Sequence, residues 1–318
     1  MTHEIAVANA PEEGKANLDK YGYTVHEDFL SRDEVAELRE RLEEQAELER
    51  LEGVASLSSS GHTGSDRYIG APKPGAQLGW QEVKFLPNKG RVFIDLLHKP
   101  VIHDYAGHLF RGESYNVATY SGVFVRKGGS RQVMHCDQQA IPVPLDRPVM
   151  FVMMVCLSDF EAEMGATLVT PGSHQSPAPR LDSDPDQQAR AIGSEFVPLE
   201  AKVGSALFWE GRTWHAAGAS TSDKTRVSLG LGWAQHFVKP QEYYSAVLQD
   251  DVYESLSEAD KSLLGFDVYK ESGGAIAPRH PGDTRTNTNI RHPYVPELRR
   301  QGTKHAVPMS VMGPVSRG

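Results

Sequence analysis

Val133-Met134-His135-Cys136-Asp137, preceded by Gln132, is the stretch on which the reading of this chain turns. It sets an imidazole and a carboxylate two residues apart, and alternation along an extended segment would turn His135 and Asp137 to one side and Cys136 to the other. His215, far downstream, supplies a second imidazole. Two histidines and one carboxylate are the donor set that holds Fe(II) on one face and leaves the other open. Arg226, eleven residues past His215, would grip an organic acid there through a guanidinium–carboxylate fork. These residues point to a non-haem iron oxygenase that uses 2-oxoglutarate.

The His-x-Asp spacing needs its context, because 13 histidines and 42 acidic residues among 318 produce such pairs by chance. His26-Glu27-Asp28 is a second example. It precedes an amphipathic helical segment and lacks the downstream apparatus, so His26 is expected at a loop-to-helix junction and not on a metal.

Around His135 the pattern is that of strands. Tyr115 to Arg126 has strand composition, Lys127-Gly128-Gly129-Ser130 is turn material, and a new strand is predicted from Gln132 to His135. Val149 to Leu157 is an apolar run of strand length, suited to a central strand. Thr167 to Thr170, Ala206 to Trp209 and Arg226 to Ala234 repeat the theme, with His215 predicted in a turn after a strand. Short strands between Gly and Pro turns predict an all-β core with added helices, two sheets forming a jelly roll.

Several segments resemble one family. They are Tyr21-Gly22-Tyr23-Thr24-Val25, Val133 to Asp137, Met164-Gly165-Ala166-Thr167-Leu168-Val169-Thr170-Pro171-Gly172-Ser173-His174, Trp214-His215-Ala216-Ala217-Gly218 and Arg226. Together, over roughly residues 18–266, the sequence resembles the phytanoyl-CoA dioxygenase (PhyH) family of double-stranded β-helix, cupin-like oxygenases. It is most similar to the branch that oxidises meroterpenoids and related secondary metabolites. The resemblance implies Fe(II), with 2-oxoglutarate and O2 as co-substrates, succinate and CO2 as by-products, and oxidation of a substrate C–H bond by hydroxylation, desaturation or rearrangement. It also implies that Gln132 and Thr167 contact 2-oxoglutarate, while His174 is a structural turn residue.

Other residues carry plainer readings beside the functional one. A lone buried arginine is more often part of an ion pair, and Arg226 departs from that through its spacing from His215. Ser228, two along a strand from Arg226, faces the same way and could assist it. Trp209 and Trp214 suit core or pocket wall. Trp233, just past the arginine, is a candidate for substrate contact, with Met134, Met150 and Met153 as apolar wall and Gln138 and Gln139 as hydrogen-bonding groups.

Composition sets bounds. With 39% hydrophobic and 24% charged residues the chain can bury an ordinary core, and residues 1–318 are expected to form one domain. A net charge of −9 argues against nucleic acid as partner. No apolar run reaches membrane length, and Met1 to Gly14 is too polar for a secretory signal. Cys136 and Cys156 need no disulfide, which fits a reducing, cytoplasmic setting.

The flanks are helical or irregular. Ser31-Arg32-Asp33-Glu34 is a capping box ahead of Val35, Leu38 and Leu42 at helical spacing. Residues 53–81, rich in Gly, Ser and Pro, read as a loop, with 56–81 as a lid over the barrel mouth. Ser255 to Leu264 reads as a short helix ending at Gly265, and 273–318 as an extended arm that suits packing in a homodimer. The expected substrate is a hydrophobic polycyclic small molecule such as a terpenoid. One alternative is a small polar metabolite or acyl thioester, for which Arg126 and Lys127 would supply charge. The others are a non-catalytic metal-binding cupin and a scaffold protein.

Overall fold

Strand-forming residues fill the middle of the chain, and the computed structural model, which describes residues 5–59, 68–69, 79–141, 146–175 and 196–266, pairs them into two sheets. In chain order the strands are β1 (Val7–Ala8), β2 (Tyr23–His26), β3 (Ser56–Ser58), β4 (Tyr68–Ile69), β5 (Trp80–Val83), β6 (Tyr115–Val125), β7 (Met150–Cys156), β8 (Thr167–Val169), β9 (Val197–Pro198), β10 (Ala206–Glu210), β11 (His215–Ala217) and β12 (Arg226–Gln235). The large sheet has the order β1-β2-β10-β7-β12-β6-β5-β3-β4, and the small one β11-β8-β9. The apolar run on β7 is explained by its place between β10 and β12, buried on one face and partly covered on the other.

One face of the large sheet carries the helices α1 (Pro11–Tyr21), α2 (Arg32–Leu51), α3 (Arg91–Leu96) and α4 (Pro100–Leu109). On α2 the Ser31 and Glu34 side chains close the expected capping box, and Leu38, Leu42 and Ala46 are buried one turn apart. Leu42 needs a glycine beneath it. A Cβ on Gly122 of β6 would come within 2.2 Å of Leu42 Cδ1, so the helix lies down on the sheet only because that side chain is absent. Tyr120, Phe124, Phe151, Met153, Val155, Val227, Leu229, Leu231 and Trp233 complete this convex core.

The opposite, concave face packs against the small sheet through Tyr23, Val25, Leu207, Trp209, Cys156, Phe160, Val169 and Leu199. This is the double-stranded β-helix expected of the sequence. Cys136 and Cys156 are free and buried.

Local expectations need correction in five places. His26 lies on β2 and not at a loop-to-helix junction; its Nδ1 meets the Tyr105 hydroxyl of α4 at 2.8 Å. Within 53–81 the chain forms β3, β4 and β5, because Trp80 and Gln81 bury themselves as an extension of the large sheet. The short helix runs over Glu258–Leu263, since Ser257 and Asp260 form its capping box. His215 opens β11 instead of sitting in a turn, and no continuous strand runs from Gln132 to His135. The predicted lid over 56–81 lies partly, and the arm over 273–318 wholly, outside the described residues.

Candidate active site

The small sheet brings the two histidines together. His135 donates its backbone N–H to His215 O at 3.0 Å and accepts from His215 N–H at 2.8 Å, an isolated antiparallel bridge that extends the pairing of β11. Beyond it the chain turns into a 3-10 helix, Asp137–Ala140, so Asp137 reaches the histidines from a turn and not from a strand. Gln138 locks that turn: its N–H donates to Gly211 O, its Oε1 accepts from Val149 N–H, and its Nε2 donates to Arg147 O, at 2.8, 3.0 and 2.9 Å.

His135, Asp137 and His215 each present a ligand atom, and the three atoms lie within 4.8 Å of one another. Nε2 of His215 is 3.5 Å from Asp137 Oδ2, and Nε2 of His135 is 3.9 Å from Oδ1. Both Nδ1 atoms are engaged on the carbonyl two residues earlier, Val133 O at 2.8 Å and Thr213 O at 2.9 Å. That fixes the tautomer and leaves each Nε2 lone pair facing Asp137. Burial drives the His215 imidazole down to about 4, against a smaller opposing pull from Asp137, so it is neutral and ready to ligate. Asp137 Oδ2 is buried and accepts no hydrogen bond, an orphan that a cation would satisfy.

Arg226, the first residue of β12, is fully buried under Phe160 and Trp80, whose ring centroids lie 4.8 and 5.6 Å from its Cζ. Nη1 donates to Gly165 O, while Nε has no partner. Burial lowers its pKa to about 10, which still leaves it charged at neutral pH. No acidic side chain pairs with it among the described residues, and an uncompensated buried cation is costly. A carboxylate from outside the chain fits this donor.

Other predicted residues fall around these. Gln132 accepts from Ala217 N–H with Oε1 at 3.0 Å. Thr167 pairs with Ala217 while Val169 pairs with His215, so Thr167 and His215 share a face of the small sheet. Ser228 follows Arg226 on the concave face, its hydroxyl 3.4 Å from Val123 O. His174 contacts Asp19 O at 3.1 Å, away from the triad, as a turn residue.

The wall residues are the weaker part of the sequence reading. Met153 and Trp233 belong to the convex core, where Trp233 stacks on Phe151 at 6.0 Å. Met134 packs with Trp214 and Ala216, chain neighbours of the two histidines that point the other way. Both ends of the Gln138 amide serve the backbone. Met150 shares the concave parity but is covered by Ala118, Val149 and Ala234, and Gln139 is half-buried on the 3-10 turn.

The concave positions are their neighbours. Thr119, Ser121, Val152, Met154 and Gly230 are half-exposed within strands otherwise buried except at Tyr115, the first residue of β6, and they stand in register across the sheet. Gly232, Val152 and Trp209 form one row, Gly230, Met154 and Leu207 the next. Trp209 touches His215, with centroids 4.8 Å apart. Counting by twos from Arg226 would have found the right face.

Comparison with known proteins agrees with this fold. The model of the family described as phytanoyl-CoA dioxygenase (PhyH) matches residues 18–228. Dioxygenase af480 of Aspergillus fumigatus is 28% identical over 282 residues, spanning 86% of this chain and 84% of its own. Among solved structures, the alpha ketoglutarate dependent carbocyclase SnoK from nogalamycin biosynthesis superposes with a TM-score of 0.58 at 21% identity, over 78% of this chain and 92% of that one. The epimerase SnoN, crystallised with Fe3+, alpha ketoglutarate and nogalamycin RO, gives 0.56 at 20%, over 73% and 87%. At such identities the structures establish the fold alone.

Proposed function

The chain belongs to the phytanoyl-CoA dioxygenase (PhyH) family, and on that premise we propose that His135, Asp137 and His215 hold its iron, Arg226 anchors 2-oxoglutarate, and the substrate is a neutral, hydrophobic polycyclic secondary metabolite such as a terpenoid or meroterpenoid. The protein is a dioxygenase, an oxidoreductase that works with iron and 2-oxoglutarate on a small molecule. One observation carries the assignment of roles: a fully buried guanidinium with no acidic partner among the described residues lies on the concave face of the large sheet, the face on which Trp209 touches His215 of the three converging metal donors.

Bound there, iron with 2-oxoglutarate and O2 supplies the oxidising power for C–H oxidation, and succinate and CO2 leave. The protein's own part is positioning and charge. The Val133 and Thr213 carbonyls accept from the Nδ1–H groups, so His135 and His215 are left with unprotonated Nε2 lone pairs to donate to a metal. Arg226 neutralises the distal carboxylate of the co-substrate, and Trp80 and Phe160 exclude water from that contact, which strengthens it. Gln132 has its NH2 end left to donate once Oε1 is taken by Ala217. Thr167 and Ser228 add hydroxyls from the two facing sheets.

The substrate class rests on the wall. Thr119, Ser121, Val152, Met154 and Gly230 carry no charge, which suits a neutral molecule held by apolar surface and a few hydroxyls. The nogalamycin RO bound to SnoN, and the place of SnoK in nogalamycin biosynthesis, support a secondary metabolite. An acyl thioester would need Arg126 and Lys127 at the mouth. Arg126 instead bonds Gln81, which Arg50 of α2 shares, and Lys127 pairs with Asp223 at 2.8 Å.

The test is anaerobic calorimetry of 2-oxoglutarate with Mn(II)-loaded protein, followed by aerobic Fe(II) turnover over a panel of terpenoid and polyketide scaffolds. One equivalent of 2-oxoglutarate bound only with metal, and one succinate per oxidised product, are expected. Binding without metal, or coupled turnover restricted to an acyl-CoA or a polar amino acid, would overturn the assignment.

A further inference from the structure

Gly230 lies in the middle of β12, in the interior of a nine-stranded sheet, where glycine is a poor choice. A strand interior with glycine is weaker than one with alanine by about 0.5–1 kcal/mol. Two reasons commonly excuse it, and neither applies here. The φ angle of Gly230 is not in the left-handed region. A Cβ at this position would meet Met154 Cε at 3.5 Å, Met154 Sδ at 3.7 Å and Ser121 O at 3.9 Å, all ordinary contacts. Its neighbour Gly232 is different, since a Cβ there would come within 2.7 Å of Thr119 Oγ1, the atom that accepts the Gly232 N–H at 3.1 Å. The fold explains Gly232 and leaves Gly230 unexplained.

Its place in the register supplies the reason. Counting along the concave face from Arg226, Ser228 comes next, buried opposite Cys156, then Gly230 between Met154 and Ser121, both half-exposed. The following row, Gly232–Val152–Trp209, reaches His215 through Trp209. In the turn just ahead of the facing sheet Gly165 holds Arg226, and from there Thr167 and Val169 of β8 lead step by step to His215. Anything that bridges the guanidinium and the triad must pass over the Gly230 row. Glycine inside a strand often marks such a close approach of a ligand.

We propose that Gly230 is a specificity-determining residue whose missing side chain makes the room in which 2-oxoglutarate lies between Arg226 and the metal triad. This rests on the proposed function and deepens it. Gly230→Ala should fold as the wild type does and melt at the same or a higher temperature, because the added methyl meets no close neighbour. It should nonetheless raise the Kd for 2-oxoglutarate at least tenfold, and Gly230→Val should abolish binding. Calorimetry on Mn(II)-loaded protein without O2 reads the affinity, and differential scanning calorimetry of the metal-free protein reads the fold. Gly232→Ala is the contrast, expected to lower the melting temperature. Wild-type affinity in a well-folded Gly230→Ala would overturn the proposal alone. A wild type that binds no 2-oxoglutarate would overturn it together with the function on which it rests.

Discussion

The imidazoles of His135 and His215 face each other with centroids 4.4 Å apart, each tied by Nδ1 to a carbonyl of its own segment and both joined by a reciprocal backbone bridge. Two donors distant in sequence are thus held as one unit by main-chain hydrogen bonds. The entropy of closing that long loop is spent in folding and does not recur on metal binding.

Removing one donor from this unit should therefore remove metal without unfolding the protein. His135→Ala, Asp137→Ala and His215→Ala are each expected to lose stoichiometric Fe(II), measured by metal analysis after anaerobic gel filtration, with circular dichroism unchanged. His26→Ala and His174→Ala, on Tyr105 and Asp19 respectively, should retain it. Full iron occupancy in His215→Ala would remove that residue from the site.

Arg226 should reveal itself through opposite effects on ligand and fold. Arg226→Lys loses the fork and should weaken 2-oxoglutarate binding at least tenfold, about 1.4 kcal/mol. Arg226→Met, which relieves an uncompensated buried charge, should leave the ligand-free protein at least as stable while abolishing binding. Urea denaturation and calorimetry read the two; a Met variant that binds normally would point to a different anchor.

Adjacent methionines offer a test of which face of β7 lines the cavity. Met153 is in the convex core, so Met153→Ala should cost about 2–5 kcal/mol in denaturant unfolding. Met154 is half-exposed on the concave side, so Met154→Ala should change stability little and alter the succinate-to-product ratio or the product profile instead. The reverse pattern would put the cavity on the other face.

Gly122 should tolerate no enlargement. Gly122→Ala drives a methyl into Leu42 and is expected to lose about 1–3 kcal/mol in urea unfolding, while 2-oxoglutarate affinity per folded molecule stays the same. A neutral effect on unfolding would mean that α2 can shift away from β6.

Asp260 predicts an acid-sensitive fold. Burial raises its pKa, but hydrogen bonds from His98, the Ser257 N–H and hydroxyl, and Arg91 outweigh burial and hold it down to about 2. Its folded pKa therefore lies below the unfolded one, so its stabilisation is complete above the ordinary carboxylate range and fades as the pH falls from about 4 to about 2. Asp260→Asn should be destabilised by roughly 1.5–3 kcal/mol at pH 6, and the gap to the wild type should narrow at pH 3. An equal gap at both pH values in urea titrations would exclude this carboxylate as the cause.

The sequence pointed to His135, Asp137, His215 and Arg226 because the proposed chemistry lies in their side chains, and to the long strands β6, β7 and β12 because their composition is local. The wall was not legible. Alternation says that Met153 and Trp233 lie opposite Met154 and Gly232, but which side is concave depends on where α2 to α4 pack, a non-local fact, and one step of parity exchanges the faces. Arg226 could have fixed that parity through the pairing of β12 with β7. The strand expected over Gln132 to His135 failed for another reason, since only His135 pairs there. A bridge between two single residues is set by tertiary docking of the segment against β11, which composition does not encode.

The large sheet begins, among the described residues, at β1, only two residues long and followed after Asn9 and Ala10 by Pro11 at the start of α1. So short an outer strand offers few free N–H and C=O groups in line, and proline can donate none beyond it. A second chain in search of a template for strand pairing finds almost nothing to grip there. On that flank the protein carries a broad, strongly apolar sheet at little risk of edge-to-edge self-association.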